Sequence, residues 1–414
     1  MTAPFVFLVI IATTVLSCVA VTWLGSETRL TTHGDFDGLP SMSQTADGRI
    51  WVAWTRSVIG DFSIVYQTSS DLGVSWSPET VLTMDTGVDA YPSIFQDVDG
   101  SIWVVWASDR TGSYDLFYKI SSDGGLTWSD ANRLTTDQSD DLRPAVIQTV
   151  NGSIWVVWAS DRTGGFDLFY KVSSDGGLTW SIANRLTTNA THDKLPSIIQ
   201  TSDGSIWISW SSDRFGVYEI FYKTYSNLSW SNETRLTVDP NIDMNPSILQ
   251  TLDDTIWVFW SRRSVTPEMV AGEEVYCEDL YYKYSCDNGV TWSDSIQFTI
   301  TDIYTVVEDG VIVVCYNDDM WPTIMQARDT SIWVAWMSNR ADQPDGNWDI
   351  YLRASLAGDV NEDEVVDIFD LTLIAKAYGS VVGDPEYDLA LDITKDGRVD
   401  MRDVIIISKY YGAT

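Results

Sequence analysis

Short apolar runs with one fixed pattern recur along most of the chain. Each run reads Ile-Trp-Val-x-Trp or a close variant, as in residues 102–106, so apolar side chains occupy both faces of the predicted strand. A strand with two apolar faces is expected to be buried on both sides. Each run follows a Pro-(Ser/Ala/Thr)-x-x-Gln segment and a turn, which predicts a hairpin. The opening prolines of the six copies are Pro40, Pro92, Pro144, Pro196, Pro246 and Pro322.

The spacing of these copies predicts the fold. The first four opening prolines are 52 residues apart, and the segment from Tyr91 to Asp137 has room for four short strands. Repeats of this length are typical of blades around a central channel. The sixth copy has no outer strand after Ser355, whereas residues 27–32 match residues 131–136 in sequence. We therefore predict an all-β six-bladed β-propeller at residues 26–355, closed by its N-terminal strand so that no blade edge stays unpaired.

Two tryptophans recur in each second strand, as Trp103 and Trp106 do in the second copy. They account for twelve of the twenty tryptophans in the chain. Their regular recurrence favours packing between blades over contact with a ligand.

A second motif lies between the third and fourth strands of four copies. It reads Ser-x-Asp-x-Gly-x-(Ser/Thr)-Trp at residues 69–76, 121–128, 173–180 and 285–292. Its Asp can accept backbone N–H groups across a turn, its Gly can take a left-handed conformation, and its Trp can fill the blade. With these motifs the chain resembles the Asp-box propellers, a group that contains the sialidases. The resemblance implies the fold and leaves the activity open.

Catalysis of the sialidase type requires further residues. Resemblance to that family implies an arginine trio that binds a carboxylate, a Tyr–Glu pair as nucleophile and an Asp as acid/base. The usual Arg-x-Pro of the first inner strand is absent from Asp37-Gly38-Leu39-Pro40, and Arg143-Pro144 lacks the intervening residue. We therefore assign no catalytic residue. Two functions stay open: a propeller that recognises glycan or protein ligands without chemistry, and a sialidase-like glycoside hydrolase.

An aspartate stands three residues before each opening proline, which predicts a ring of carboxylates at one channel mouth. Arginines that recur four residues after the second tryptophan should lie on the same face, because second strands run opposite to first strands. Either each Asp pairs with an Arg and ties the blades together, or the ring holds a cation or polar ligand. The aspartates are Asp37, Asp89, Asp141, Asp193, Asp243 and Asp319, and the arginines are Arg110, Arg162, Arg214 and Arg340.

Two insertions interrupt the repeat, at residues 264–276 and 301–318. Both connections should open on the face where the inner strands begin. Binding residues are often carried by such variable loops, so this face is the predicted ligand surface. The candidate ligand-binding residues are Arg262, Arg263, Tyr304, Glu308, Tyr316 and Trp321, with Tyr91 and Arg143 from other blades.

After Ser355 the composition changes to two acidic loops, each followed by one apolar helix. Alternating oxygen ligands of this kind suit calcium, with a backbone carbonyl at position 7 of each loop. The arrangement closely resembles a dockerin module, a small all-α domain at residues 356–414, and implies two calcium ions. The predicted ligands are Asp359, Asn361, Asp363, Val365, Asp367 and Asp370 in the first loop and Asp392, Thr394, Asp396, Arg398, Asp400 and Asp403 in the second.

The dockerin resemblance also implies a partner. Dockerins bind cohesin modules, and the family's recognition positions fall on Ile368/Phe369 and Met401/Arg402. Two loop positions depart from the usual pattern: Glu364 stands at the turn position where Gly is usual, and the ligand position of Thr394 has a weaker ligand than Asn or Asp. The first loop is therefore expected to be the better site, with some affinity lost to strain at Glu364.

The N-terminus and the charge bear on location and partners. Residues 1–25 carry no charged side chain, which predicts a secretion signal or a retained membrane anchor. Small residues at Cys18-Val19-Ala20 favour cleavage. Export makes a disulfide between Cys277 and Cys315 plausible.

The net charge of −34 argues against nucleic-acid binding, because so acidic a surface repels phosphates.

Overall fold

Six antiparallel sheets of four main strands confirm the predicted propeller. The computed structural model describes residues 23, 27–32, 34–58, 61–189, 191–265, 268–270, 273–299, 303–308, 311–340, 347–355, 366, 368–387, 391–393 and 398–410. In each sheet the inner strand pairs with the long second strand, which pairs with the third. A strand of only two residues forms the outer edge.

The described strands, in chain order, are grouped by blade as follows. β1 (Thr28–Arg29) belongs to blade six; blade one has β2 (Asp37–Gln44), β3 (Ile50–Val58), β4 (Asp61–Ser69) and β5 (Thr80–Val81); blade two has β6 (Asp89–Gln96), β7 (Ile102–Ser108), β8 (Asp115–Ser121) and β9 (Asn132–Arg133); blade three has β10 (Asp141–Gln148), β11 (Ile154–Ser160), β12 (Asp167–Ser173) and β13 (Asn184–Arg185); blade four has β14 (Asp193–Gln200), β15 (Ile206–Ser212), β16 (Glu219–Ser226), β17 (Ser229–Trp230) and β18 (Thr234–Arg235); blade five has β19 (Ile242–Gln250), β20 (Ile256–Arg263), the hairpin β21 (Glu268–Val270) and β22 (Glu273–Val275), β23 (Glu278–Ser285) and β24 (Ile296–Gln297); the hairpin β25 (Ile303–Glu308) and β26 (Val311–Tyr316) follows; blade six has β27 (Asp319–Gln326), β28 (Ile332–Ser338) and β29 (Asp349–Ala354).

The N-terminal strand closes the ring as predicted. Thr28 pairs with Leu352 and Arg29 with Tyr351 in an antiparallel register. The guanidinium of Arg29 also donates a hydrogen bond to the buried carboxylate of Asp349 at 2.6 Å. Blade six therefore has a complete outer edge although its own sequence ends at the third strand.

Trp23 belongs to the propeller as well. Its ring lies edge-on against Phe298 with centroids 4.8 Å apart, and its carbonyl accepts a hydrogen bond from Arg353. Asp-box tryptophans make the same kind of contact with the preceding blade, as Trp292 does with Tyr222. The N-terminal segment thus supplies blade six with a blade-filling tryptophan in addition to an outer strand.

The paired tryptophans pack between blades, as predicted. The indole of Trp51 lies in one core cluster with Ile102 and Trp106 of the next blade. Gly125 of the blade-two Asp box comes so close to Trp51 that a Cβ there would lie 2.3 Å from the ring, and its φ is +88°. Only glycine accommodates both constraints, which explains its place in the motif.

The six glutamines that end the inner strands connect successive blades at one end of the channel. Gln96, for example, accepts a hydrogen bond from the backbone N–H of Ala46 at 2.6 Å and donates one to the carbonyl of Gly100 at 2.8 Å. Gln44 accepts from Arg328 and so joins blade six to blade one. The opposite end of the channel, where the inner strands begin, is the predicted ligand face.

The C-terminal module contains two helices, α1 (Ile368–Ala377) and α2 (Met401–Tyr410). A small core of its own lies between them and includes Val366, Ile374 and Ile407. None of the described helices combines the length and apolar character needed to cross a membrane.

The predicted Cys277–Cys315 disulfide is wrong. Cys277 retains its thiol, and Cys286 is the disulfide-bonded cysteine. The partner of Cys286 lies outside the described side chains. Cys286 lies inside the Asp box of blade five, between Ser285 and Asp287, ten residues after the end of the first insertion.

Candidate functional site at the channel mouth

The ring of aspartates ties each blade together. Asp141 is fully buried and accepts hydrogen bonds from the indole N–H of Trp158 at 2.9 Å and from Arg162 at 2.8 Å. All six blades repeat this Asp–Trp–Arg arrangement, which supports a structural role for the ring. The six arginines are Arg56, Arg110, Arg162, Arg214, Arg262 and Arg340.

Burial leaves some of these carboxylates hard to ionise despite their arginine partners. It raises the pKa of Asp37 and Asp243, against the opposing effect of Arg56 and Arg262. It raises the pKa of Asp319 to about 7, against hydrogen bonds from Ser338 and Trp336. These groups act inside the protein and are not exposed to a ligand.

Inside this ring the channel mouth forms a cavity of about 140 Å³. Three consecutive residues from each blade line it: the opening proline and its two neighbours. The residue before each proline differs from blade to blade, which gives the otherwise repetitive mouth a distinct set of side chains. These six are Leu39, Tyr91, Arg143, Leu195, Asn245 and Trp321.

All six of these residues have a left-handed backbone, with φ between 57° and 62°. The inner strand shifts register at this point, as between Leu142 and Ala145 in blade three. Side chains of the preceding blade bind some of the freed backbone groups: the N–H of Tyr91 donates to Thr55 and that of Trp321 to Ser261. Left-handed residues other than glycine cost about 1–3 kcal/mol each and cluster at functional sites.

Arg143 brings three blades together across the mouth. Its guanidinium carbon lies 5.2 Å from the ring centroid of Tyr91 in blade two and 5.6 Å from that of Trp321 in blade six. The two aromatic rings are themselves 5.7 Å apart. Cation–π contacts at these distances hold the guanidinium without consuming its hydrogen-bond donors.

The described residues accept no hydrogen bond from those donors. The Nε atom of Arg143 is buried and has no hydrogen-bond partner among the described residues, and the described carboxylates form no salt bridge with this residue. A second cation lies nearby, because the positive charge of Arg143 adds to burial in lowering the pKa of Lys194. The mouth is therefore locally cationic in a protein of net charge −34.

The structure brings together three of the residues that the sequence proposed for ligand binding: Tyr91, Arg143 and Trp321. Arg262 has a different role, since its guanidinium is engaged by Asp243 at 2.7 Å and by Asp239. Arg263 lies 5.9 Å from the ring of Tyr276 and outside the cavity lining. The side chains of Tyr304, Glu308 and Tyr316, on the hairpin β25–β26, lie outside the described residues.

Sequence reasoning missed a pair of acidic residues on this face, Glu278 and Asp318. Burial, and then the charge of Asp318, raises the pKa of Glu278 to about 8. The backbone N–H of Glu278 donates to Asp318 Oδ1 at 3.1 Å. A signal was present in the sequence: Glu278 occupies a position at which the other five blades have an aromatic residue, such as Tyr114.

In the C-terminal module the described carboxylates suit calcium. Asp370, Asp392 and Asp403 are fully buried, and such carboxylates need a cation or hydrogen bonds to compensate their charge. Tyr387 donates to Asp392 and the backbone of Asp400 donates to Asp403, each at 2.8 Å. Within the described part of the chain no three metal-binding side chains converge. The predicted ligands Asp359, Asn361, Asp363, Val365, Asp367, Thr394 and Asp396 lie outside the described residues, whereas Arg398 lies within them.

The predicted cohesin-binding positions lie on the surface. Ile368 and Phe369 begin α1 and are 54% and 63% exposed, and Met401 begins α2 and is 55% exposed. Arg402 is exposed beside it. Apolar side chains this exposed at both helix starts are available to a partner.

Comparison with known families agrees with this architecture. The profile of the BNR repeat-like domain matches residues 21–214, and that of the dockerin type I domain matches residues 357–411. No curated protein sequence matches the chain.

Solved structures show the same propeller fold. A protein of unknown function from Dyadobacter fermentans has a TM-score of 0.63 at 15% identity, covering 81% of this chain and 98% of that one. The α-L-arabinanase of Penicillium chrysogenum, complexed with arabinobiose, has a TM-score of 0.54 at 14% identity over 77% and 92%. The NanB sialidase of Streptococcus pneumoniae has a TM-score of 0.57 at 11% identity over 79% and 70%. The chain therefore combines a BNR/Asp-box, sialidase-like six-bladed propeller with a C-terminal type I dockerin domain.

Proposed function

We propose that this protein recognises glycans at the channel mouth of its propeller and is attached by its dockerin domain to a cohesin-bearing partner. The cluster of Arg143 between Tyr91 and Trp321 carries the proposal. A guanidinium with unused donors binds carboxylates and hydroxyls, and aromatic rings pack against sugar rings. A glycan that contains an acidic sugar fits this combination best.

The alternative is a sialidase-like glycoside hydrolase. That activity would call for an arginine trio at the mouth, but among the described residues that line the cavity there is one arginine, Arg143. The six recurring arginines are engaged with buried aspartates instead. These two observations favour binding over hydrolysis of the sialidase type.

The dockerin domain supports assembly outside the cytoplasm. Dockerin type I domains bind calcium and dock onto cohesin modules, and we infer two calcium ions here, one for each loop. Ile368, Phe369, Met401 and Arg402 form the proposed cohesin-binding surface. A membrane span over the apolar residues 5–24 would include Trp23, whereas Trp23 packs on the propeller against Phe298. We therefore prefer a secretion signal that is cleaved after Ala20, which leaves Trp23 in the mature protein.

A glycan array probed with the full-length protein tests the proposal. We expect binding to glycans with acidic sugars, and we expect Arg143→Ala to weaken it at least tenfold without lowering the thermal unfolding temperature. Arg49→Ala is the matched control: Arg49 lies on an exposed turn of blade one, outside the mouth, and this variant should bind normally.

A fluorogenic sialoside distinguishes the alternative. Release of the fluorophore by the unmodified protein, lost in Arg143→Ala, would replace the binding proposal with the hydrolase. Unchanged glycan binding by Arg143→Ala would place the ligand site elsewhere on the molecule.

A further inference from the structure

Blade five breaks a ring of aromatic residues on the ligand face. In blades two, three, four and six the third strand begins with a buried Asp or Glu, and the residue just before it is aromatic. Blade one has an aromatic residue at the same position. In blade five the residue at this position is Glu278, which lies opposite Arg263 in the strand register. The five aromatic residues are Phe62, Tyr114, Phe166, Tyr218 and Trp348.

The Glu278 carboxyl is buried, and one of its two oxygens has no hydrogen-bond partner among the described residues. Glu278 is 7% exposed, and the oxygen in question is Oε1. The charged groups that face it are Asp318, Asp279 and Arg263, and burial with the charge of Asp318 raises its pKa to about 8. A buried polar atom without a partner among the described residues calls for an explanation such as a bound ligand.

The hairpin of each insertion ends a few residues before Glu278 or its neighbour Asp318. The hairpin β21–β22 ends three residues before Glu278, and the hairpin β25–β26 ends two residues before Asp318. Asp318 is itself held by a hydrogen bond from its N–H to Asn339 at 2.7 Å. Trp321 of the mouth follows three residues later, which corresponds to about 10 Å of extended chain. Glu278 therefore lies on the same face as the channel mouth, beside the residues that line its cavity and not among them, where the repeat is least regular.

We propose that Glu278 is a second ligand contact of this mouth, whose protonated carboxyl donates a hydrogen bond to a hydroxyl or ring oxygen of the glycan. The inference rests on the proposed function and adds that glycan binding depends on pH. Arg143 binds the acidic group of the ligand, whereas Glu278 binds a neutral oxygen and must keep its proton to do so. Ionisation of Glu278 removes the donor and places a negative charge beside Asp318 and beside an acidic ligand.

The test is the affinity of the full-length protein for its best array glycan between pH 6 and pH 9.5. We expect constant affinity below about pH 7.5 and a fall approaching tenfold per pH unit above pH 8, the behaviour of one linked proton. Glu278→Gln keeps a neutral donor, so its affinity should stay flat with pH and exceed that of the unmodified protein at pH 9. Glu79→Gln, which alters a carboxylate paired with Arg56, is the matched control and should keep the normal pH profile.

The outcomes separate this inference from the proposed function. The same alkaline loss of affinity in Glu278→Gln, or no pH dependence in the unmodified protein, would overturn the role of Glu278 while leaving glycan recognition intact. Absence of binding to any glycan at any pH would overturn both. Thermal unfolding of each variant at pH 7 establishes that it is folded.

Discussion

Asp141 shows how one residue position serves the same purpose in every blade. Its carboxylate binds an indole N–H and a guanidinium, and it is inaccessible to solvent. The arginine lies four residues after the tryptophan in blade three but two residues after it in blades one and five, at Arg56 and Arg262. The guanidinium reaches the same place from both positions. Spacing alone therefore identified four of the six arginines and left Arg262 among the ligand candidates.

Replacing Asp141 with alanine should lower the free energy of unfolding by about 3–5 kcal/mol, because it removes the buried carboxylate that Arg162 and the indole of Trp158 both bind. Chemical denaturation measures the change. Asp137→Ala is the control: this carboxylate is 40% exposed and lies 3.7 Å from the same arginine, so less than about 1 kcal/mol should be lost. Equal losses in the two variants would mean that the buried pair contributes no more than a surface contact.

At the scale of elements, the N-terminal segment is the least local part of the propeller. It pairs β1 with β29 and packs Trp23 on blade five, more than 230 residues away in sequence. Neither contact can form until the whole ring is built. The same ring closure brings blades two, three and six to one mouth, where Arg143 contacts its two aromatic neighbours.

Truncation should therefore have a sharp boundary. A protein that lacks residues 1–20 should unfold at the same temperature as one with the full segment. Removal of residues 1–26 deletes Trp23 and should cost about 2–3 kcal/mol, less than a fully buried tryptophan because Trp23 is half-buried. Removal of residues 1–32 also deletes β1 and leaves the Asp349 carboxylate without Arg29, so we expect aggregation or loss of the folded state. Thermal scans and size-exclusion chromatography measure both effects.

The hairpin β25–β26 should matter for binding and not for folding. Its two strands pair with each other and join no blade. Replacing residues 301–316 with a short linker, while keeping Asn317 and Asp318 because Asp318 binds the backbone of Glu278, should weaken glycan binding and preserve the unfolding temperature. Titration calorimetry and a thermal scan provide the two readings. Normal affinity would show that the ligand contacts the mouth alone.

At the scale of the whole molecule, two modules with separate cores depend on different forces. The propeller buries tryptophans between six blades, whereas the small C-terminal core holds few apolar residues beside fully buried carboxylates. A small module of this kind commonly depends on its metal for stability.

Calcium removal should therefore unfold the C-terminal module and leave the propeller intact. In the full-length protein we expect chelation to abolish a separate low-temperature transition and to lower the helical circular dichroism signal, with the propeller transition unmoved. Asp370→Ala combined with Asp403→Ala should make the protein insensitive to chelator. Calorimetric titration should return two ions per chain. Unchanged helicity after chelation would contradict a calcium-dependent fold.

The sequence by itself determined the propeller, its N-terminal closure and the dockerin module, because each follows from residues close together in a repeat or from two repeats compared with each other. Tertiary structure decided which side chains meet at the mouth. Arg143, Tyr91 and Trp321 occupy equivalent positions of three blades, so the repeat places them on one face, but it does not show which of the six mouth side chains contact one another. The sequence shows that Glu278 replaces an aromatic residue of the repeat, but the burial of Glu278 beside Asp318 depends on how blade five meets blade six. Periodicity encodes neighbours within a blade, whereas contacts across the channel exist only once the ring has closed.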